Sequence, residues 1–153
     1  MFRNLLSRLF ADMPGSAVLN SQDGEVAIAA LLVRIARADD RYSETERRRI
    51  EGVLARRRGL SHDEAVERRV AAEMIEAEAP DTVRFTRIVK ERVDLDDRQN
   101  VIAAMWEVAY ADGKRSAEED SMVRLVASLL GVNDRDSNLV RQRVLDDLGI
   151  RGH

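Results

Sequence analysis

From Val26 to Val33 the chain is apolar at every position. Placed on a 3.6-residue period, Val26, Ala29, Ala30, Val33 and Ala36 fall on one side of a helix, and Ile28, Leu31, Leu32 and Ile35 on the other. A helix with so little polar surface has to lie inside the globule. Asp23 stands just ahead of it, where an acidic side chain can accept the free amides of a first turn. The pattern recurs from about Asp96 to Ala111. There Val101, Ile102, Met105, Trp106, Val108 and Ala109 leave little of the helix polar, so a second central helix is predicted. Two buried arms imply one shared core.

The remaining segments read as ordinary amphipathic helices. Ser43 with Glu46, and Ser116 with Glu119, have the spacing of a capping box, in which the Ser oxygen accepts a backbone N–H and the Glu reaches back. Ile50, Val53 and Leu54, and later Val123, Val126 and Leu130, then face the core. Gly59 and Gly131 supply the expected C-terminal stops. Ser61 with Glu64 opens a helix carrying Val66, Val70 and Met74, and Asn133 caps its counterpart carrying Val140, Val144 and Leu148. Pro80 interrupts the chain between the halves. Phe85, Ile88 and Val89 mark a bridging helix before Asp94 caps the second unit. The pattern predicts an all-α, duplicated bundle of about seven helices, with no strand.

Ahead of this bundle, Phe2, Leu5, Leu6, Leu9, Phe10 and Met13 follow an i, i+3, i+4 spacing, flanked by Arg3 and Arg8. Arg8 interrupts the apolar run, which argues against a signal peptide. Two readings stand: a short helix docked on its own domain, or an amphipathic segment in peripheral contact with a membrane or a partner through residues 2–13. Pro14, Gly15 and Ser16 end the segment. Residues 1–20 are therefore read as amphipathic segment and linker, and 21–150 as the helical domain.

The two halves also say much the same thing. Leu31 to Val53 reads LLVRIARADDRYSETERRRIEGV and Ala104 to Val126 reads AMWEVAYADGKRSAEEDSMVRLV. With Asp39 laid on Asp112, 73 positions apart, both show Ala-x-Ala-Asp, a basic residue (Arg41, Lys114), a Ser (Ser43, Ser116) and a Glu (Glu46, Glu119). Units of about 24–77 and 97–148 follow. The shared polar residues fall in the joint between helices, where core packing does not call for an Asp.

Composition narrows the classes of function. At 153 residues and 44% hydrophobic the chain can bury a single-domain core. A net charge of −3 gives no general reason to expect nucleic acid. The absence of Cys excludes a disulfide framework, a thiolate nucleophile and a Cys-based zinc site. His62 opens a helix and His153 is the last residue, so neither has the base-and-orienter setting of acid/base or triad catalysis. No P-loop or dinucleotide fingerprint is present. The clusters Arg47, Arg48, Arg49 and Arg56, Arg57, Arg58 share part of a helical face with interleaved Glu44, Glu46 and Glu51, which reads as a solvated, salt-bridged surface. No apolar stretch approaches the roughly 18 residues of a spanning helix.

At the joints, Asp39, Asp40 and Asp112 follow the carboxyl ends of helices, where the partial negative charge disfavours an acid. Two explanations are open. The carboxylates turn forward and staple the joint by accepting N–H groups. Alternatively Asp39, Asp40, Glu46, Asp112 and Glu119, with loop carbonyls, gather oxygen ligands for a hard, calcium-like divalent cation, with Glu44, Glu118 and Asp120 adding acidic density. The spacing is not that of an EF-hand loop.

A helical hairpin carrying A-x-A-D-G-x-x-S-x-x-E, repeated in a second half, resembles the TerB-like (tellurite resistance protein B) family over roughly Gly24 to Leu148. Ala109, Asp112, Gly113, Ser116 and Glu119 carry the resemblance in the second joint, and Ala36, Asp39, Ser43 and Glu46 in the first. Asp40 departs from it, standing where the family more often has Gly. The resemblance implies a compact, non-enzymatic, all-helical domain associated with resistance to tellurite and other stresses, with acidic residues proposed to bind metal. It also implies a protein partner and a bacterial, cytoplasmic setting, at the inner face of the membrane if residues 2–13 lie on it. The other reading is a structural adaptor without a metal site.

Overall fold

In the computed structural model the described residues are 21–78, 82–113 and 116–150, with side chains from residue 24 onward. Residues 2–13, Pro80 and Lys114, for which the sequence carries expectations, lie outside them. Among the described residues every regular element is a helix: α1 Ser21–Ala36, α2 Glu44–Arg58, α3 His62–Glu78, α4 Val83–Arg92, α5 Leu95–Ala109, α6 Ala117–Leu129 and α7 Asp134–Asp147. The all-α expectation holds.

The central position of α1 follows from its composition. Ile28, Leu31, Leu32 and Ile35 are all fully buried, each worth about 1.5–3 kcal/mol by the area removed from water. α3, α4 and α5 pack around α1, and α2 and α6 also touch it, so its apolar run is covered on every side. α5 is the second axis, sealed by α6 and α7, with Met105 and Trp106 fully buried. The indole Nε1–H of Trp106 donates to Ser137 O at 3.1 Å, so its one polar group is satisfied inside the core. Apolar side chains from both halves join in one cluster.

Ion pairs set the relative directions. Arg34 and Arg37, at the end of α1, reach Glu76 near the end of α3 at 3.1 and 2.8 Å, so α1 and α3 run parallel. Arg57 near the end of α2 donates to Glu25 at the start of α1, which makes α1 and α2 antiparallel. At Gly24 an added Cβ would stand 3.0 Å from Arg92 Cβ, so glycine allows the close approach of α4.

Several local expectations are corrected. Asp23 lies inside α1 rather than ahead of it, because the helix begins at Ser21. Asp94 occupies the N-cap of α5 but makes no side-chain capping bond. In α3 the inward residues are Ala65, Ala72 and Ile75, while Val70 and Met74 are 42% and 53% exposed. The Arg clusters of α2 do more than form a solvated face. Arg49 and Arg56 pair with Glu107, and Arg57 with Glu25 and Asp97, tying α2 to α1 and α5.

Candidate functional site

Both joints are built from the same backbone bonds. Ala38 donates to Ile35 O at 3.1 Å and Asp40 to Arg37 O at 3.0 Å; 73 residues on, Ala111 donates to Val108 O at 3.1 Å and Gly113 to Tyr110 O at 2.9 Å. Each turn ends on a left-handed residue, Asp40 at φ 61° and Gly113 at φ 72°. Asp is among the few side chains that tolerate this conformation, so Asp40 takes the glycine slot. Asp40 is exposed and is not among the residues that line the cleft beside Asp39.

After the turns the joints meet. The Ser43 hydroxyl lies 3.2 Å from both carboxylate oxygens of Asp112 and 3.2 Å from Glu46 Oε1, while accepting the Glu46 amide at 3.1 Å. Its single proton can serve only one of these acids at a time. Glu46 completes the predicted capping box by accepting Ser43 N–H at 2.9 Å. In α6 the Ser116 half of the box is present, but the Glu119 carboxyl turns instead toward Glu46, to which it is hydrogen-bonded. The departure has a physical consequence. Both Glu side chains are almost wholly buried, at 2% and 3%, and two ionised carboxylates cannot share such a place. Burial, then Glu46, then Asp39 and Asp112 push the Glu119 carboxyl well above the usual carboxylate range.

Asp39 and Asp112 line an open cleft of about 400 Å³ whose walls include Arg41, Ser116 and Glu119. Asp39 Oδ1 accepts Arg41 N–H at 3.0 Å. The structure thus brings Asp39, Glu46, Asp112 and Glu119 together and leaves Asp40 outside. Among the described residues no three acidic or histidine side chains already stand in the geometry of a metal ion's ligands. The donor chemistry nevertheless fits a hard cation, since all four side chains offer oxygen.

The extra acids noted in the sequence have partners of their own, although Glu118 also lines the cleft. Glu44 pairs with Arg47 and Arg48, and Glu118 accepts the Ser116 hydroxyl. Asp120 is buried and accepts from Arg124 at 2.7 Å and from Tyr110 at 3.4 Å, while Arg141 donates to the same Tyr110 oxygen. This network braces the end of α5 against α6 and α7. The first joint has a different brace. Arg37 and Arg47 flank the Tyr42 ring at 5.2 and 4.8 Å, and the Tyr42 hydroxyl donates to Glu73 at 2.6 Å. Burial and the Glu73 acceptor hold that hydroxyl protonated far above its usual range. Sequence reasoning missed both braces because neither tyrosine recurs at the 73-residue offset.

The comparisons with known proteins address the frame that carries these joints. The family model described as "Tellurite resistance protein TerB" matches residues 25–142. The chain belongs to the TerB family. No curated protein and no solved structure gives a significant match. The TerB match begins in the first turn of α1 and ends within α7, so it takes in both joints and both helices that start from them. No described helix of this TerB domain is long and apolar enough to cross a membrane.

Proposed function

We propose that this TerB domain is a non-enzymatic binding module that takes a divalent, calcium-like cation between its two joints and presents the result to a protein partner. One observation carries the reading: Glu119 is buried against Glu46 with Asp39 and Asp112 close enough to bear on its charge. Four carboxylates in one place need positive charge. In the cation-free protein the proton on Glu119 supplies it; a divalent ion with six to eight oxygen ligands can replace that proton. Glu46 and Glu119 are held in place by burial, whereas Asp112 is exposed and Asp39 half-buried, so the two Asp side chains have room to rotate onto an ion. The tellurite-type stress setting rests on the family alone.

A second reading is favoured by the bond from Arg41 N–H to Asp39 Oδ1, which is what a structural staple would make. The two readings part under calcium titration. If the ion binds, saturating calcium stabilises the wild type by about 2.7 kcal/mol at a hundredfold excess over Kd. An Asp39→Asn, Asp112→Asn variant keeps an acceptor for Arg41 N–H and Ser43 but loses two charges, and most of that gain disappears with it. Without metal it is no less stable, since each acid opposes the negative end of its helix. A thermal melt that calcium moves in neither protein, with the variant weakened, leaves the adaptor reading in its place.

A further inference from the structure

We infer that the cleft between the C-terminal half of α2 and α5 is the docking site for an acidic, carboxylate-bearing peptide segment of a partner protein. The inference rests on the reading of this domain as a partner-binding module, and not on its cation. The cleft encloses about 420 Å³, within the roughly 300–1,000 Å³ of ligand-sized sites. Val53, Ala103 and Ala104 supply its apolar lining, Val53 and Ala104 being buried in the core beneath. The rest of the lining is polar: Arg56, Arg57 and Arg58 of α2 with Asp97, Asn100 and Glu107 of α5. Arg56 stands about 18 Å along α2 from Glu44, so this cleft is separate from the acidic joints.

The chemistry of the occupant follows from which hydrogen-bonding groups are already engaged. Both Glu107 oxygens have partners, Oε1 in Arg56 at 2.8 Å and Oε2 in Arg49 at 3.3 Å. Both Asp97 oxygens do too, Oδ2 accepting from Arg57 at 3.1 Å and Oδ1 from the Asn100 amide at 3.0 Å. Glu25, almost wholly buried, takes Arg57 on its two oxygens and Arg58 on one. The donors are in surplus. A guanidinium carries five N–H groups, and among the described residues Arg56 and Arg58 each use one nitrogen in these pairs while their side chains stay 63% and 46% exposed. Four guanidiniums, those of Arg49, Arg56, Arg57 and Arg58, are set against the three carboxylates of Glu25, Asp97 and Glu107, an excess of one positive charge. One further carboxylate balances that excess and can take the open N–H groups in charge-assisted bonds. A phosphate monoester, with about 1.5 to 2 negative charges, would overshoot it beside Asp97 and Glu107. The small apolar lining selects a peptide over a bare carboxylate ion, since the carbon atoms next to an acidic side chain can cover Ala103 and Ala104.

The probe is a blocked, fluorophore-labelled peptide of alternating Glu and Ala, with the same peptide carrying Gln for Glu as its control. Titrated onto the full chain without calcium, the Glu peptide moves the amide signals of Ala103 and Ala104, and the Gln peptide does not. Arg56→Gln with Arg58→Gln weakens binding at least about tenfold. That variant strands no acid, because Glu107 keeps Arg49 and Glu25 keeps Arg57. Arg87→Gln with Lys90→Gln on α4 makes the same change in net charge away from the cleft and leaves the affinity as it was. Equal losses in the two variants overturn the assignment, and so does a Gln peptide that binds as tightly as the Glu peptide. Inorganic phosphate that moves Ala103 and Ala104 at a lower concentration than the Glu peptide gives the cleft to phosphate and likewise overturns it. The cation reading is tested apart. A Glu peptide that moves no amide in a protein stabilised by calcium removes the docking site alone, whereas peptide binding at Ala103 and Ala104 in a protein indifferent to calcium upholds the docking site and removes the cation.

Discussion

A buried Glu facing a buried Glu makes stability depend on pH in a direction opposite to that of an ordinary salt-bridged carboxylate. Glu119 holds its proton more tightly folded than unfolded. Between its unfolded pKa, near 4.3–4.5, and its higher folded value the native state therefore binds the extra proton, and stability falls as pH rises. The slope for one proton is at most about 1.4 kcal/mol per pH unit. In Glu119→Gln, urea midpoints measured from pH 5 to 8 without metal should lose this decline, leaving the variant the more stable protein at pH 8. A wild-type midpoint that rises over that range would show that Glu119 is ionised in the fold. The Glu residues were legible in the sequence as paired caps. Their gathering was also read there, as oxygen ligands of one site, but their direct contact was not, because the Glu119 side chain abandons its local capping bond for a partner in the other joint, and spacing along a chain does not report such a choice. Ser43 illustrates the same limit: a capping Ser by its position, it also reaches Asp112, 69 residues away.

At the scale of elements, helix existence and most boundaries followed from periodicity and punctuation, and the orientation of α3 did not. Val66, Val70 and Met74 share one i, i+4 row of that helix, so a reading by spacing turns them inward. The structure buries Ala65, Ala72 and Ile75 instead. α3 runs beside α1, whose surface is already crowded with Ile and Leu, and joins the core there through the small Ala72 and the single larger Ile75. Caps were legible when their bonds are local. Ser61 N–H donates to Glu64 Oε1 at 2.9 Å and Glu64 N–H to Ser61 Oγ at 3.2 Å, a complete capping box. Asp94 sits at a cap position without the bond. The two are therefore expected to differ on truncation. Ser61→Ala should lower the urea midpoint by an amount worth about 1 kcal/mol, and Asp94→Ala by clearly less. Equal losses would mean that Asp94 does cap α5 in solution.

The whole molecule poses the question of whether two similar halves behave as one domain. Sequence marks out two units through the 73-residue offset, yet apolar side chains from both belong to a single cluster, and α1 touches helices of either half. α2 packs on α5 as well as on α1 and α3, so neither unit keeps its core to itself. Leu32 and Met105, equivalent by that offset, are both fully buried, one on each central helix. Truncating either to Ala removes apolar contacts and leaves a cavity, at a cost of about 2–5 kcal/mol. With a shared core, each variant should unfold in one transition, and the loss should appear at the far end of the molecule too. Native-state hydrogen exchange is the discriminating measurement: in Leu32→Ala the slowest amides of α7 should lose as much protection as those of α3, because both open only through global unfolding. Two separated transitions, or loss of protection confined to α1–α3, would assign the halves independent stabilities. A cation held between the joints could then no longer report on the whole bundle, and its stabilising effect would be confined to the first turns of α2 and α6.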